Sequence, residues 1–358
     1  MHYNAQIKFD NLTIARGLAA LCIVLYHAIG SFGPQDLTNL LFSFGYIAVD
    51  LFFVMSGFII SYASKGIFNQ VKPKNYTSFI LKRLARIYPN HILVILLYLF
   101  LFLVYQVLRP HEPAPEKLDL GSLVYFITLT NNILFDKLYW NGPSWSISAE
   151  FAAYLAFPFI FLVLARIRRD FMWFICAVSI ISLATIYHLN GFVSIGDGIT
   201  SVGVFRCLFE FICGCTIYFA GSKITKSFLA ALTTLLIAGL GILVYTQSNV
   251  IFIVSIMVLS TYLMTTQSGK YKIQSTRLAP ISNGLIFLGE ISYSLYIIHF
   301  FVKDVIKLLS TQTFLSSWTS LILYLAASIS TAIIIYYYFE IPTRHYLYKK
   351  VNLIHGKR

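Results

Sequence analysis

The sequence predicts an all-α protein, a polytopic membrane bundle of about ten transmembrane helices with both termini in the cytoplasm. Three observations lead to this fold class. Of the 358 residues, 58% are hydrophobic and only 11% are charged, whereas soluble domains carry roughly 25% charged residues. Apolar runs long enough to cross a bilayer recur along the whole chain. Basic residues are frequent in alternate connecting segments and scarce in the others.

The apolar runs define ten candidate spans, each near the ~20 residues that cross the hydrocarbon layer as a helix. In chain order the spans are 12–29, 44–63, 91–108, 147–165, 171–189, 200–220, 227–245, 249–266, 285–309 and 319–340. The first run is not expected to be a cleavable signal peptide, because Arg16 lies inside it and no small-residue cleavage site follows His27.

The distribution of positive charge predicts the orientation of the bundle. The chain has 27 Lys and Arg residues and a net charge of +13. Twenty of these basic residues fall in alternate loops and the two ends of the chain, and five fall in or near the opposite loops. Basic residues collect on the cytoplasmic side of membrane proteins, so both termini are expected in the cytoplasm. Because the positive charge is explained by the orientation in the membrane, no nucleic-acid partner is expected.

Two connections are long enough to have structure of their own. Residues 64–90 are basic and cytoplasmic, and Tyr76–Tyr88 is expected to lie as an amphipathic helix along the membrane surface. Residues 109–146 face outward, and their apolar middle, Leu120–Phe135, is too short and too polar for a span. This piece is therefore expected to be interfacial or re-entrant.

Ionisable residues inside the spans are the first candidates for function, because a charge there costs about 2.5–3.5 kcal/mol. They are Arg16, His27, Asp50, Glu150, Arg206, Glu210, Glu290, His299, Asp304 and Glu340. The predicted topology puts His27, Asp50, Glu150 and His299 at one level near the outer face. Arg206 and Glu210 are four residues apart and are expected to form an internal ion pair.

Arg16 and His27 share one face of the first helix. Eleven residues separate them, which is three turns, a rotation of ~20° and a rise of ~16 Å. One helix thus presents a cation near the cytoplasm and an imidazole near the outside. Taken singly, an arginine near a helix end snorkels and a histidine packs, but the pair on one face favours function.

Six segments carry a resemblance to a known family. In chain order they are LTIARGLAALCIVLYH from Leu12, GYIAVDLFFVMSGFIIS from Gly45, KRLARIYP from Lys82, NGPSWSISAEF from Asn141, LGEISYSLYIIHF from Leu288 and FEIPTRHY from Phe339. Together they resemble the acyltransferase 3 family of membrane O-acyltransferases, whose first helix has an Arg-x10-His pattern. The resemblance implies one transmembrane acyltransferase domain over 1–345, followed by a short basic cytoplasmic tail over 346–358 and no extra extracytoplasmic domain.

The resemblance implies transfer of an acyl group, usually acetyl from cytoplasmic acetyl-CoA, to a hydroxyl of a sugar or lipid-linked glycan in the bacterial inner membrane. His27 is the expected general base, since a neutral imidazole can take the proton of an alcohol. A covalent acetyl-imidazole on His27 is the alternative route. Acetyl-CoA is a substrate, and no tightly bound cofactor is expected.

Several residues are expected to assist. Glu150 or Asp50 can orient the imidazole, as a carboxylate does in a triad, although each also has a structural explanation in helix packing or at a helix start. Guanidinium groups suit the phosphates of the donor, and the candidates are Arg16, Arg83 and Arg86. Acceptor-binding or supporting roles are expected for Trp145, Ser144, Tyr296, His299 and Glu340.

A transporter or flippase for a glycan or small solute is the competing prediction, because buried charges also line ion and proton paths. The paired, Gly/Pro-broken helices of many transporters are not evident in the sequence. Nor does the sequence contain the spacing of a metal site, such as His-Glu-x-x-His, or a glycine-rich phosphate loop. The enzyme is therefore the favoured interpretation.

Overall fold

The computed structural model describes residues 9–32, 45–221, 249–267, 279–313 and 317–355. Within these ranges the regular structure is helical, and seven helices are long and apolar enough to cross a membrane. An eighth candidate is a bent pair of helices. The all-α membrane class predicted from composition agrees with this architecture.

The described ranges contain thirteen α-helices. They are α1 (Asp10–Phe32), α2 (Ala48–Ala63), α3 (Pro73–Leu108), α4 (Leu123–Ile127), α5 (Asn131–Leu134), α6 (Ser144–Arg166), α7 (Met172–Leu189), α8 (Ile199–Ala220), α9 (Val250–Gln267), α10 (Ala279–Glu290), α11 (Ser292–Thr313), α12 (Ser317–Ile335) and α13 (Ile341–Ile354). A 3-10 turn, Gly45–Ile47, leads into α2, and a π-helical turn, Tyr336–Glu340, joins α12 to α13.

Seven of the predicted spans coincide with long helices, namely 12–29, 44–63, 91–108, 147–165, 171–189, 200–220 and 319–340. The predicted span 285–309 is divided between α10 and α11, which meet at a bend of 66°. The predicted span 249–266 forms α9, a shorter apolar helix. The predicted span 227–245 lies outside the described residues. The total of ten spans and the sides of the termini remain predictions.

The predicted surface helix at Tyr76–Tyr88 is not a separate element. Helix α3 begins at Pro73 and continues without a break into the predicted third span, although Pro89 lies inside it. Proline is favourable at a helix start, and transmembrane helices tolerate it in their interior. A helix of 36 residues rises ~54 Å and exceeds the thickness of a bilayer. Arg83 and Arg86 therefore lie on the same continuous helix as the predicted span 91–108.

The connection 109–143 contains only short helical pieces, among them α4 and α5. None of them spans a membrane by length, as predicted for Leu120–Phe135. Lys137 donates to Glu116 at 2.8 Å, and this hydrogen bond lowers the pKa of Glu116 below its usual value. The pair is exposed, so it adds little to stability.

Helix α8 lies in the interior and packs against α2, α6 and α7. Its contact with α2 is a contact between backbones, because both helices have a glycine where they cross. A Cβ atom on Gly57 would lie 2.0 Å from the carbonyl oxygen of Phe211, and one on Gly214 would lie 1.9 Å from that of Val54. Small residues allow this close approach, which is how membrane helices associate.

We expect Gly214→Ala to destabilise the bundle by at least ~1–3 kcal/mol, the usual cost of overpacking, because the new methyl group forces α2 and α8 apart. The measurement is the melting temperature of the purified protein in detergent. Gly30→Ala is the matched control. Gly30 lies in α1 with no atom within 4 Å of an added Cβ, so its replacement is expected to be neutral or stabilising by up to ~1 kcal/mol. Equal melting temperatures for the two variants would contradict the close crossing.

Candidate active site

A cavity with an empty volume of about 840 Å³, which includes its open part, lies between α1, α2, α3, α6 and α11. One region of its wall is basic and the other is apolar with hydroxyl groups. Its polar lining consists of Arg16, Ser56, Arg83, Arg86, Ser146, Glu150, Tyr154, Ser292, Tyr293 and Tyr296. A few polar groups in a mainly apolar wall are typical of small-molecule sites.

Three arginines line this cavity with one carboxylate. The Nη2 atom of Arg16 donates to the carbonyl oxygen of Gly289 at 2.8 Å. The Nε atoms of Arg16 and Arg83 are buried and have no hydrogen-bond partner in the described structure. Buried donors of this kind are normally paired. The cavity therefore has an excess of positive charge and free donors, which suit an anionic ligand.

Glu150 is the carboxylate of the cavity. Its Oε1 atom accepts a hydrogen bond from Ser56 at 2.5 Å, and no hydrogen bond between Glu150 and His27 occurs in the structure. Glu150 therefore lies with the arginines in the wall of the cavity. The sequence-based expectation that it orients the imidazole is not supported by any direct contact.

The two predicted histidines lie side by side. The ring centroids of His27 and His299 are 5.3 Å apart with an angle of 28° between the planes. The Phe300 ring meets His27 edge-on at 5.1 Å, and the Lys303 ammonium lies 3.2 Å from the centroid of the Phe300 ring. His27 is partly exposed, whereas His299 is fully buried. A substrate can thus reach the His27 ring more easily than the His299 ring.

Tyr296 connects the cavity with the imidazoles. It lines the cavity, and its ring centroid is 5.9 Å from that of His299. Its hydroxyl shares a hydrogen bond of 2.7 Å with the hydroxyl of Ser146. Tyr293, Tyr296 and His299 follow at intervals of three residues on α11, so they share one face of that helix. We call the side of the site with Arg16, Arg83 and Arg86 the arginine end, and the side with His27 and His299 the imidazole end.

Residues 9–338 match the family model Acyl_transf_3, which is described as an acyltransferase domain. This match covers most of the chain and includes every residue of the two ends just described. The chain belongs to the acyltransferase 3 family. It is therefore an enzyme that transfers acyl groups, as the six sequence motifs predicted.

This acyltransferase is similar in sequence to several bacterial proteins. It is 26% identical over 325 residues to Acyltransferase MdmB of Streptomyces mycarofaciens, covering 83% of this chain and 79% of that protein. It is 31% identical over 157 residues to Protein 2 in picA locus of Rhizobium radiobacter, covering 40% of this chain and 77% of that protein. A putative O-acetyltransferase of Staphylococcus aureus is 28% identical over 204 residues, covering 53% of this chain and 32% of that protein. No solved structure matches the chain.

Asp50 has a different partner in the acyltransferase from the one predicted. Its two carboxylate oxygens accept from Nε and Nη2 of Arg206 at 2.6 and 2.9 Å, a bidentate pair that joins α2 to α8. Asp50 is thereby committed to Arg206 and not to the imidazole. Glu210 is the predicted partner of Arg206, and its Oε1 atom lies 4.0 Å from Nε of Arg206. This ion pair is therefore longer than the contacts of Arg206 with Asp50. A fork of two parallel bonds explains why the guanidinium prefers Asp50.

The other predicted supporting residues lie around the site. Trp145 packs on the guanidinium of Arg206 at 5.4 Å, and the Ser144 hydroxyl accepts from Asn131 at 3.4 Å. Glu340, in the π-helical turn, accepts from Ser294 at 2.6 Å and from Arg344 at 3.2 Å. Glu340 therefore has its own basic partner and makes no hydrogen bond to the three arginines of the cavity.

Sequence reasoning missed two residues of the site. Ser56 holds Glu150 and was overlooked because a search for ionisable residues ignores hydroxyl groups. Lys303 was counted only as one of the five basic residues in or near the outward-facing loops, yet its ammonium lies over Phe300, next to the proposed base. The position of Lys303 four residues after His299 was the available signal, since such residues are neighbours on a helix.

Proposed function

We propose that this acyltransferase moves an acetyl group from acetyl-CoA to a hydroxyl of a sugar in a cell-surface or lipid-linked glycan. In this proposal the protein lies in a bacterial cytoplasmic membrane, the donor enters at the arginine end and His27 is the general base. The observation that carries the proposal is the cavity itself. It joins three arginines to Tyr296, whose ring packs against that of His299.

The donor is assigned to the arginine end on grounds of charge. Arg16, Arg83 and Arg86 face only Glu150 as an opposite charge in the cavity wall, so an anionic ligand restores the balance. Guanidinium groups bind phosphates through paired hydrogen bonds. A pantetheine arm is long and weakly polar, which suits the apolar wall contributed by Phe52, Phe53 and other side chains.

The reaction then needs one proton acceptor and one proton donor. His27 removes the proton of the acceptor hydroxyl as its oxygen bonds to the acyl carbon of the thioester. The carbon–sulfur bond breaks, the sulfur keeps the electron pair, and the imidazolium returns the proton to it. General-base assistance of this kind contributes typically 10²–10⁴ in rate. A two-step route through an acetyl-imidazole uses the same residue.

The hydroxyl acceptor is placed at the imidazole end. His27 is partly exposed there, and the Staphylococcus aureus relative is named a putative O-acetyltransferase. Mass spectrometry of surface glycan from cells with and without the gene identifies the acceptor. Loss of an acetyl group from one sugar is the expected result. Counterflow uptake of a solute by purified protein without acetyl-CoA would instead favour a transporter.

We expect Arg16→Ala to raise the KM for acetyl-CoA about 10- to 100-fold, the equivalent of one or two lost charge-assisted hydrogen bonds. Arg16→Lys is expected to recover only part of this loss, because an ammonium lacks the planar fork. The measurement is steady-state release of CoA by the purified protein.

Arg168→Ala serves as the control for Arg16, because the Arg168 side chain is 80% exposed and lies outside the cavity. Its KM is expected to equal that of the unaltered protein. An unchanged KM and turnover in Arg16→Ala would remove the donor from the arginine end.

A further inference from the structure

His299 has a lone pair of electrons that the protein does not use. Its Nδ1 atom lies 2.6 Å from the carbonyl oxygen of Tyr296. A carbonyl oxygen only accepts, so Nδ1 carries the hydrogen, and the neutral ring is left with an acceptor at Nε2. A doubly protonated ring is disfavoured, since it adds an unpaired buried cation near Lys303. The Nε2 atom has no hydrogen-bond partner in the described structure.

This unpaired atom is informative because His299 is fully buried. Buried polar atoms are almost always paired, and an exception calls for an explanation. His27 does not supply the partner: the two rings are neighbours at 5.3 Å, but no hydrogen bond joins them. Among the described residues, this atom is therefore available to a donor that a ligand supplies.

We propose that Nε2 of His299 accepts a hydrogen bond from a second hydroxyl of the acceptor, on the carbon next to the one that is acylated. This inference rests on the proposed function, in which His27 activates the first hydroxyl. It assigns His299 as a substrate-binding residue that sets specificity. The acceptor class is a compound with two hydroxyls on adjacent carbons.

The arrangement of the two rings explains why the hydroxyls must be neighbours. The planes of His27 and His299 are inclined by only 28° and their centroids are 5.3 Å apart, so hydroxyls on adjacent carbons match the short separation of the two rings. Two hydroxyls on adjacent carbons can each donate to one ring. An ether oxygen in place of the second hydroxyl has no hydrogen to donate and would place its lone pairs against that of Nε2. Sites built for a hydroxyl reject analogues that lack it.

The second hydroxyl keeps its proton throughout the reaction. The first hydroxyl gives its proton to His27, its oxygen bonds to the acyl carbon, and the sulfur of CoA leaves with the electron pair and accepts that proton. His299 exchanges no proton and forms no covalent bond. Its effect is therefore confined to binding and orienting the acceptor, which separates it experimentally from His27.

The test uses the purified full chain in detergent with acetyl-CoA and three acceptors. They are trans-cyclohexane-1,2-diol, its monomethyl ether trans-2-methoxycyclohexanol, and water, whose reaction is hydrolysis of acetyl-CoA. We expect kcat/KM for the diol to exceed that for the ether at least tenfold in the unaltered protein. A factor of ten corresponds to about 1.4 kcal/mol.

Two variants place this preference on His299. His299→Phe keeps an aromatic ring and removes the acceptor atom, so it is expected to reduce the ratio of kcat/KM for diol to that for ether from at least ten to about one. His299→Gln retains an oxygen acceptor at the position of Nε2 and is expected to restore part of the preference. Melting temperatures identify any variant that fails to fold, and the comparison of diol with ether in the unaltered protein needs no variant.

Equal rates for diol and ether overturn the inference, as does the absence of any acetylated alcohol while hydrolysis continues. A parallel loss of hydrolysis and transfer in a folded His299→Phe variant also overturns it and shows that His299 acts through His27. In each of these cases acetyl-CoA is still cleaved by the unaltered protein, so the proposed function survives. Failure to cleave acetyl-CoA with any acceptor rejects the proposed function as well.

Discussion

His27→Ala is expected to lower the rate of acyl transfer at least 100-fold, with folding and the KM for acetyl-CoA unchanged. The imidazole is the group that takes the proton of the attacking hydroxyl, and general-base assistance is worth typically 10²–10⁴. The ring lies at the imidazole end, away from the arginines, so its removal leaves the donor site intact. The measurement is CoA release and acetylated product, followed with the purified protein under saturating acetyl-CoA.

His188→Ala is the matched control for this experiment. His188 is exposed in the last turn of α7 and is not part of the cavity lining, so full activity is expected. A His27→Ala protein that keeps half of the activity would exclude His27 as the base. Incubation with acetyl-labelled CoA in the absence of acceptor separates the two routes, because only the covalent one leaves label on the unaltered protein and none on His27→Ala.

Removal of one partner of the Asp50–Arg206 pair is expected to have the largest effect on stability. Both side chains are buried, and they form two hydrogen bonds at 2.6 and 2.9 Å. Arg206→Ala leaves the Asp50 carboxylate buried without its counter-charge, which costs about 3–5 kcal/mol. The measurements are the melting temperature in detergent and the fraction of protein that remains monodisperse.

Replacement of both partners tests the same pair in the opposite direction. Asp50→Leu combined with Arg206→Met removes both charges of the pair at similar volume, and part of the lost stability is expected to return. Glu210, 4.0 Å from Arg206 in the unaltered protein, stays buried in this variant and limits the recovery. Arg109→Ala is the control, because the Arg109–Glu112 pair is about half exposed and such surface pairs contribute little to stability. A stable Arg206→Ala protein that has lost only activity would restore the catalytic interpretation of Asp50.

Seven of the ten spans and the family could be predicted from the sequence, and so could several of the residues that line the cavity. The cavity brings together Arg16, Arg83, Arg86, Glu150 and Tyr296, all of which were candidates. The sequence predicted only in part which of these residues lie near the arginines and which lie near the imidazoles. The prediction placed Glu150 and His27 at one level of the bilayer, whereas Glu150 bonds to Ser56 among the arginines. Depth along a helix is readable from residue number, but the direction in which a side chain points depends on the neighbouring helices.

Helix lengths were also harder to predict than helix positions. The basic stretch before Pro89 has the polarity of a surface segment, but α3 passes through it as one helix. A change of polarity along a helix shows where the bilayer ends, and the hydrogen bonding of the backbone continues beyond that point. The π-helical turn at Tyr336–Glu340 had no signal in the sequence either, and it is this turn that contains Glu340.

The partners of the buried charges depended on packing between distant segments. Apolar runs, positive charge and the Arg-x10-His spacing are properties of single segments, so they were sufficient for the membrane class, the family and the imidazole as a candidate base. Asp50 and Arg206 are 156 residues apart, and they meet because Gly57 and Gly214 let α2 and α8 come into backbone contact. Such pairings follow from the distances between helices, because a hydrogen bond forms only within about 3 Å and no pattern within one segment specifies that separation.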